Sequence, residues 1–130
     1  MHHVSDQSVI QAVVEQSSGF SFRMSDDGVC LMSDDQRFVA SIIPSDSPSV
    51  HKIYIAVLPD ATEYIYDYFH DVVSWLYDFT EIRNLIACVE LDNTSGYYAF
   101  KEAGFRDVGV IYSYGENGDD AAIFQFQMRG

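Results

Sequence analysis

Apolar and polar positions alternate along the chain in short blocks, most of them with the period of strands. Val9, Ile10, Val13 and Val14 recur at helical spacing and predict a helix over residues 5–16, with Ser5 as its cap and Asp6 in its first turn. Residues 18–24 alternate as a half-buried strand does. Strands are predicted again at 29–32, after the turn Asp26-Asp27-Gly28, and at 37–43, after Ser33-Asp34-Asp35, so that this part reads as a meander. Pro44 and Pro48, set among alternating Ser and Asp, mark a loop. Residues 50–58 form a longer strand stopped by Pro59.

The second half has a different rhythm. Residues 61–78 carry the clearest helical pattern, with Ile65, Phe69, Val72, Val73 and Leu76 on one face and Trp75 at its flank. Glu63, Asp67, Asp71 and Asp78 lie on another face. Like charges four residues apart cost about 0.2–0.5 kcal/mol per pair, so packing of the apolar face has to outweigh them. Residues 84–91 are apolar on both sides, which predicts a central, parallel strand. A helix over 94–103 follows, with Gly104 as its C-cap. Strands at 105–114 and 121–128 are joined by a hairpin turn over 115–120. The order predicts one α/β domain with a mixed sheet, residues 1–130. His2 and His3 sit at a terminus expected to lack order.

Charge narrows the functional classes. The 130 residues include 20 Asp and Glu against 7 Lys and Arg, a net charge of -13. Phosphate contacts need clustered cations, so direct nucleic-acid binding is excluded, and anionic membranes are disfavoured. A basic partner fits. Apolar residues at 48% exclude intrinsic disorder as the default. No apolar run approaches the ~20 residues of a membrane span, and no basic segment precedes an apolar stretch as in a secretion signal. The expected location is cytoplasmic. Cys30 and Cys88 lie in apolar runs and read as buried free thiols of a reducing compartment. No metal is expected: there is no CxxC, no H-E-x-x-H, and the pairs Asp26-Asp27 and Asp34-Asp35 lack the EF-hand pattern.

Several residues in the second half fall in a familiar order: Val57-Leu58-Pro59 ending a strand, the long helix, Ala87-Cys88-Val89 running to Asn93, and Ala103-Gly104-Phe105. With this order the chain resembles the GNAT acyl-CoA N-acyltransferases over residues 50–130. The first 50 residues are compatible but short for that family's N-terminal helix pair. Within the fold, His51, Leu58-Pro59, Trp75, Thr80, Asn93 and Gly104-Phe105 resemble tailed-phage head-assembly or virion-accessory proteins.

The resemblance implies where the chemistry should be. GNAT enzymes cradle the CoA pyrophosphate in a loop of type R/Q-x-x-G-x-G/A, where glycines let backbone N–H groups approach the phosphates. That loop aligns with Thr62 to Asp67, where Ile65 and Asp67 take the small-residue positions and no glycine occurs. The tyrosine that many members use as general acid aligns with Phe100, which has no hydroxyl; Tyr97 and Tyr98 are its nearest substitutes. His51 is the one candidate base, against a reading as a strand-edge histidine; His70 reads as a boundary residue of the long helix. Val57, Leu58 and Asn93 would contact CoA if it binds, although Asp92-Asn93-Thr94 also suits a helix cap.

These residues point first to a catalytically degenerate GNAT-fold protein that binds another protein, basic or a phage structural protein, in virion or head assembly, with no cofactor. The alternatives are an acetyl-CoA-dependent N-acetyltransferase with a divergent cofactor loop, and an acidic inhibitor that mimics nucleic acid in a host enzyme's basic groove. Tyr64, Tyr66, Tyr68, Tyr97, Tyr98, Tyr112 and Tyr114 are too many to bury together, and exposed tyrosine clusters suit an interface.

Overall fold

A computed structural model describes residues 1–17, 22–47, 49–113 and 118–128. The elements in chain order are β1 (His2–His3), α1 (Gln7–Gln16), β2 (Val29–Met32), β3 (Phe38–Pro44), β4 (Val50–Val57), a 3-10 helix (Pro59–Tyr64), α2 (Ile65–Phe79), β5 (Asn84–Glu90), α3 (Thr94–Glu102), β6 (Arg106–Ile111) and β7 (Ala121–Gln127). The strands form one mixed sheet in the order β1-β2-β3-β4-β5-β7-β6.

Strand alternation assigns the two faces. Leu31, Ala40, Ile55 and Phe124 point to one side, where the buried residues of α2 and α3 complete the larger core. Met32, Val39 and Ala56 point to the other, where Ile10 and Val13 of α1 cover them. Phe69 of α2 meets Phe105 and Phe126 edge-on at 4.6 and 5.6 Å between ring centroids, which ties helix, sheet and the α3–β6 turn together.

One feature of the sheet decides where a site can form. β4 and β5 run parallel, but they pair only at Val50–Asn84, His51–Leu85 and Lys52–Ile86. Beyond that the strands part, leaving residues 53–57 and 87–90 without each other as partners. The result is a wedge, open toward the C-terminal ends of both strands. β5 is central, as its composition predicts; it is parallel to β4 for those three rungs and antiparallel to β7 along its length.

The structure revises several local expectations. α1 is capped by Asp6, not Ser5: the Asp6 carboxylate accepts from the Ser8 amide at 3.0 Å and satisfies one of the free N–H groups of the first turn. Residues 22–24 are not a strand; residues 18–21 lie outside the described residues. The edge of β2 that a strand there would need is taken by the N-terminus, with His2 opposite Met32 and His3 opposite Leu31. The amino terminus is therefore ordered, and His2 Nδ1 lies 3.0 Å from Asp34.

The long helix begins as a 3-10 turn and becomes α-helical only at Ile65, because Tyr64 sits at φ -100°, ψ 10°. α3 ends with Gly104 at φ +96°, the left-handed conformation that glycine adopts at least cost. There the Phe105 amide donates back to the Phe100 carbonyl at 3.0 Å. The predicted turn at residues 115–120 falls largely outside the described residues, as does Tyr114. Cys30 and Cys88 are free but only half-buried, since they lie on the β2 and β5 faces opposite the larger core.

Candidate functional site

Because β4 and β5 part after three rungs, the open end of the wedge is where a ligand could meet backbone groups that no neighbouring strand takes. At the rung Phe38–Val57 the Val57 amide points away from β3, because the next amide, Leu58, is the one that donates to the Arg37 carbonyl at 2.9 Å. The Val57 N–H thus faces the wedge. It is not vacant: it donates to Ser17 Oγ, at 3.4 Å, from the residue that follows α1. No local sequence signal marks Ser17 for this position; only the packing of α1 across β4 brings it there.

The turn after β4 would be the place for an anion. Leu58 is the residue before the 3-10 helix, and Pro59 opens it with a fixed φ and no N–H to offer. The Ala61 amide donates to the Leu58 carbonyl at 2.9 Å, and the Ile65 amide donates to the Thr62 carbonyl. These two amides are therefore engaged within the turn rather than turned outward as in a phosphate cradle. The charged side chains exposed here are Asp60, Glu63 and Asp67, set among exposed Thr62, Tyr64 and Tyr66. Arg37 donates to Asp60 at 3.1 Å, so that cation is already paired with a carboxylate. At an effective dielectric near 20, a unit like-charge pair at 4 Å costs about 4 kcal/mol, which a pyrophosphate would meet more than once.

Asn93 lies at the same end, before α3. Its Oδ1 accepts from the Gly96 amide at 3.0 Å, so it serves as the N-cap. The fit is tight: a Cβ on Gly96 would stand 2.6 Å from Asn93 Nδ2 and 3.1 Å from Val89 Cγ1.

Phe100 is 4% exposed and packs against Phe105 and Phe124, with centroids at 5.0 and 5.9 Å. Neither neighbouring tyrosine replaces a hydroxyl there. Tyr98 is 62% exposed. Tyr97 lies against Phe124, and its hydroxyl donates to Asp107 at 2.9 Å.

His51 belongs to the closed end. It sits on the second parallel rung, seven residues before Leu58, or about 23 Å along an extended strand. Burial pushes its imidazole below the ordinary histidine value, and Nδ1 has no hydrogen-bond partner. The structure therefore gathers Val57, Leu58 and Asn93 at one end of the wedge and leaves His51 at the other.

A second polar cluster fastens the open end. Tyr68 is 7% exposed, and its hydroxyl donates to Asp35 at 2.6 Å. Asp35 also accepts from Ser33 Oγ at 2.5 Å and from the Arg37 amide at 3.1 Å. Partial burial raises the Asp35 carboxyl, but these hydrogen bonds outweigh it and hold the group below its usual range. Burial and the neighbouring carboxylate push the Tyr68 phenol upward. The cluster pins the β2–β3 turn to α2.

A mixed seven-stranded sheet splayed between two parallel strands, with α1 on one face and α2 and α3 on the other, is the GNAT acetyltransferase fold. Solved structures agree. A chimera of the Vibrio cholerae spermidine N-acetyltransferase SpeG with hSSAT superposes with a TM-score of 0.73 at 8% identity, covering 97% of this chain and 95% of that one. An IAA acetyltransferase from Bacillus cereus gives 0.72 at 11% identity, over 98% and 97% of the two chains. An N-acetyltransferase from Staphylococcus aureus gives 0.72 at 11% identity, over 97% and 95%. At such identities the likeness establishes the fold alone. No protein-family model and no curated protein matches the sequence. Among the described residues, no helix is long and apolar enough to cross a membrane.

Proposed function

We propose that this protein keeps the GNAT fold without the reaction and acts by binding another protein, as an accessory factor of the kind phages use in virion or head assembly. The 3-10 turn after β4 carries this reading: its Ala61 and Ile65 amides are engaged within the turn, and the charged side chains it exposes are acidic. A CoA pyrophosphate would meet carboxylates there, and the nearest cation, Arg37, is already paired with Asp60. Buried Phe100 supports the same reading, since no hydroxyl stands where a leaving thiolate would need a proton. The Ser17 hydrogen bond to the wedge-facing Val57 amide adds to it.

The open wedge itself favours a second reading, an N-acetyltransferase whose cofactor lies differently. An assay of thiol release from acetyl-CoA over a panel of polyamines, amino-acid amines and peptide N-termini separates the two. The non-catalytic reading expects release no faster than in the protein-free control. Release that saturates with any amine contradicts it.

A further inference from the structure

The solvent side of α2 is divided lengthwise. At 100° per residue, Asp67, Asp71 and Asp78 fall on one line with Ser74. Tyr66, His70, Val73 and Tyr77 fall on a second line beside it. Tyr66 and Tyr77 are 56% and 44% exposed, and Val73 is half-buried. Where the second line reaches the C-terminal half of the helix, a groove of about 530 Å3 opens between α2 and the end of β7. It is lined by Val73, Ser74, Tyr77, Asp78, Phe126 and Met128. The wedge mouth lies at the other end of α2, so the groove is separate from the site described above, and the two lines approach it only at Tyr66 and Asp67.

The chemistry of the surface is specific. Its aromatic line, Tyr66, His70, Val73 and Tyr77, is a ridge of about 16 Å, the length of three helical turns, and turns apolar at Val73 and the groove. The adjoining line carries Asp67, Asp71 and Asp78, with Ser74 as its neutral member and no cation. Arg83 pairs with none of these carboxylates among the described residues; it donates to the carbonyls of Thr80 and Ile82 at 2.9 and 2.8 Å and rests over one face of the Tyr77 ring at 4.4 Å. The carboxylates repel one another in the free protein, and a cationic partner relieves that repulsion. A second copy of this chain would add another -13 and set the same carboxylates face to face.

We propose that this face of α2 docks a basic amphipathic helix of another protein. An apolar side chain of that helix fills the groove between Val73, Tyr77, Phe126 and Met128, and its Lys or Arg residues align with Asp67, Asp71 and Asp78. The inference rests on the protein-binding reading above and names the surface that performs it.

The test uses the full chain and a designed helical peptide with a leucine stripe flanked by lysines. Its controls are a peptide with glutamates for the lysines and one with the leucines scrambled. Amide chemical-shift mapping should place the lysine peptide along α2 from Tyr66 to Asp78 and at the end of β7. Tyr77→Ala, at an exposed position, should weaken binding about tenfold. The pair Asp71→Asn and Asp78→Asn should weaken it similarly and flatten its salt dependence. Equal affinity for the scrambled peptide, shifts centred on another face, or self-association that covers the α2 face would each overturn the proposal. Acetyl-CoA added to the same samples keeps the two claims apart. Failure of the peptide with no response to acetyl-CoA refutes this surface alone, and acetyl transfer refutes the non-catalytic reading beneath it.

Discussion

Replacing Gly96 by alanine tests the account of Asn93 directly. The new Cβ would stand 2.6 Å from Asn93 Nδ2, 3.0 Å from Asn93 Cγ and 3.1 Å from Val89 Cγ1. Asn93 can rotate away, but only by giving up its bond to the Gly96 amide, and a lost N-cap costs about 1 kcal/mol. Val89 belongs to β5 and is 5% exposed, so it has little room to yield; overpacking of this kind costs about 1–3 kcal/mol. Alanine returns at most about 0.8–1.0 kcal/mol of helix propensity. The expected net effect is a destabilisation of about 1–3 kcal/mol, read as a lower urea midpoint at unchanged slope. Asn93→Ala alone should cost about 1 kcal/mol. The double variant should cost less than the sum, because the clash with the amide disappears once Asn93 is gone. A neutral or stabilising Gly96→Ala, or strict additivity with Asn93→Ala, would refute the capping geometry.

Phe100→Tyr restores the hydroxyl that the GNAT resemblance assigns to this position, yet it should produce no acetyl transfer. It should destabilise the fold by about 1–3 kcal/mol, because the hydroxyl enters an apolar cluster; thiol release above background would contradict this. The Asp35 carboxyl is held below its unfolded value, so its contribution is present above that value and fades as pH falls through the lowered one. Asp35→Asn should therefore flatten the acid limb of the stability profile, and Tyr68→Phe should flatten it partly; an unchanged acid limb in both variants would exclude the cluster as its source.

The second half of the fold was legible because its signals are local and strong. The apolar face of α2, the doubly apolar β5 and the Gly104 stop each follow from period or backbone freedom, and the structure places all three where the sequence does. The first half reads less well because pairing decides it. Alternation at residues 18–24 resembles a strand, but the place beside β2 goes to His2 and His3, which no periodicity marks. Ser5 and Asp6 are both good caps, and the choice falls to Asp6 because its carboxylate reaches the Ser8 amide. The 3-10 turn also escapes a sequence reading, since Ala61 and Ile65 fit an α-helix equally well and only the backbone at Tyr64 separates the two.

The candidate site divides in the same way. Missing glycines and Phe100 are visible as residue types. The capping of Asn93 follows from its neighbours. The position of His51 does not, because it depends on where β4 and β5 cease to pair. Ser17, Asp35 and Tyr68 reach the open end through contacts between elements far apart in sequence, and no spacing announces them.

The most direct test of the central claim is an amide chemical-shift titration of the intact protein with acetyl-CoA and with free CoA, raised to millimolar concentration. The account predicts no saturable shift at Val57, Leu58, the 3-10 turn or Asn93. Saturable shifts at those residues with a micromolar Kd would contradict it: the acidic turn would then hold a pyrophosphate, and the protein would be a cofactor-binding member of its fold.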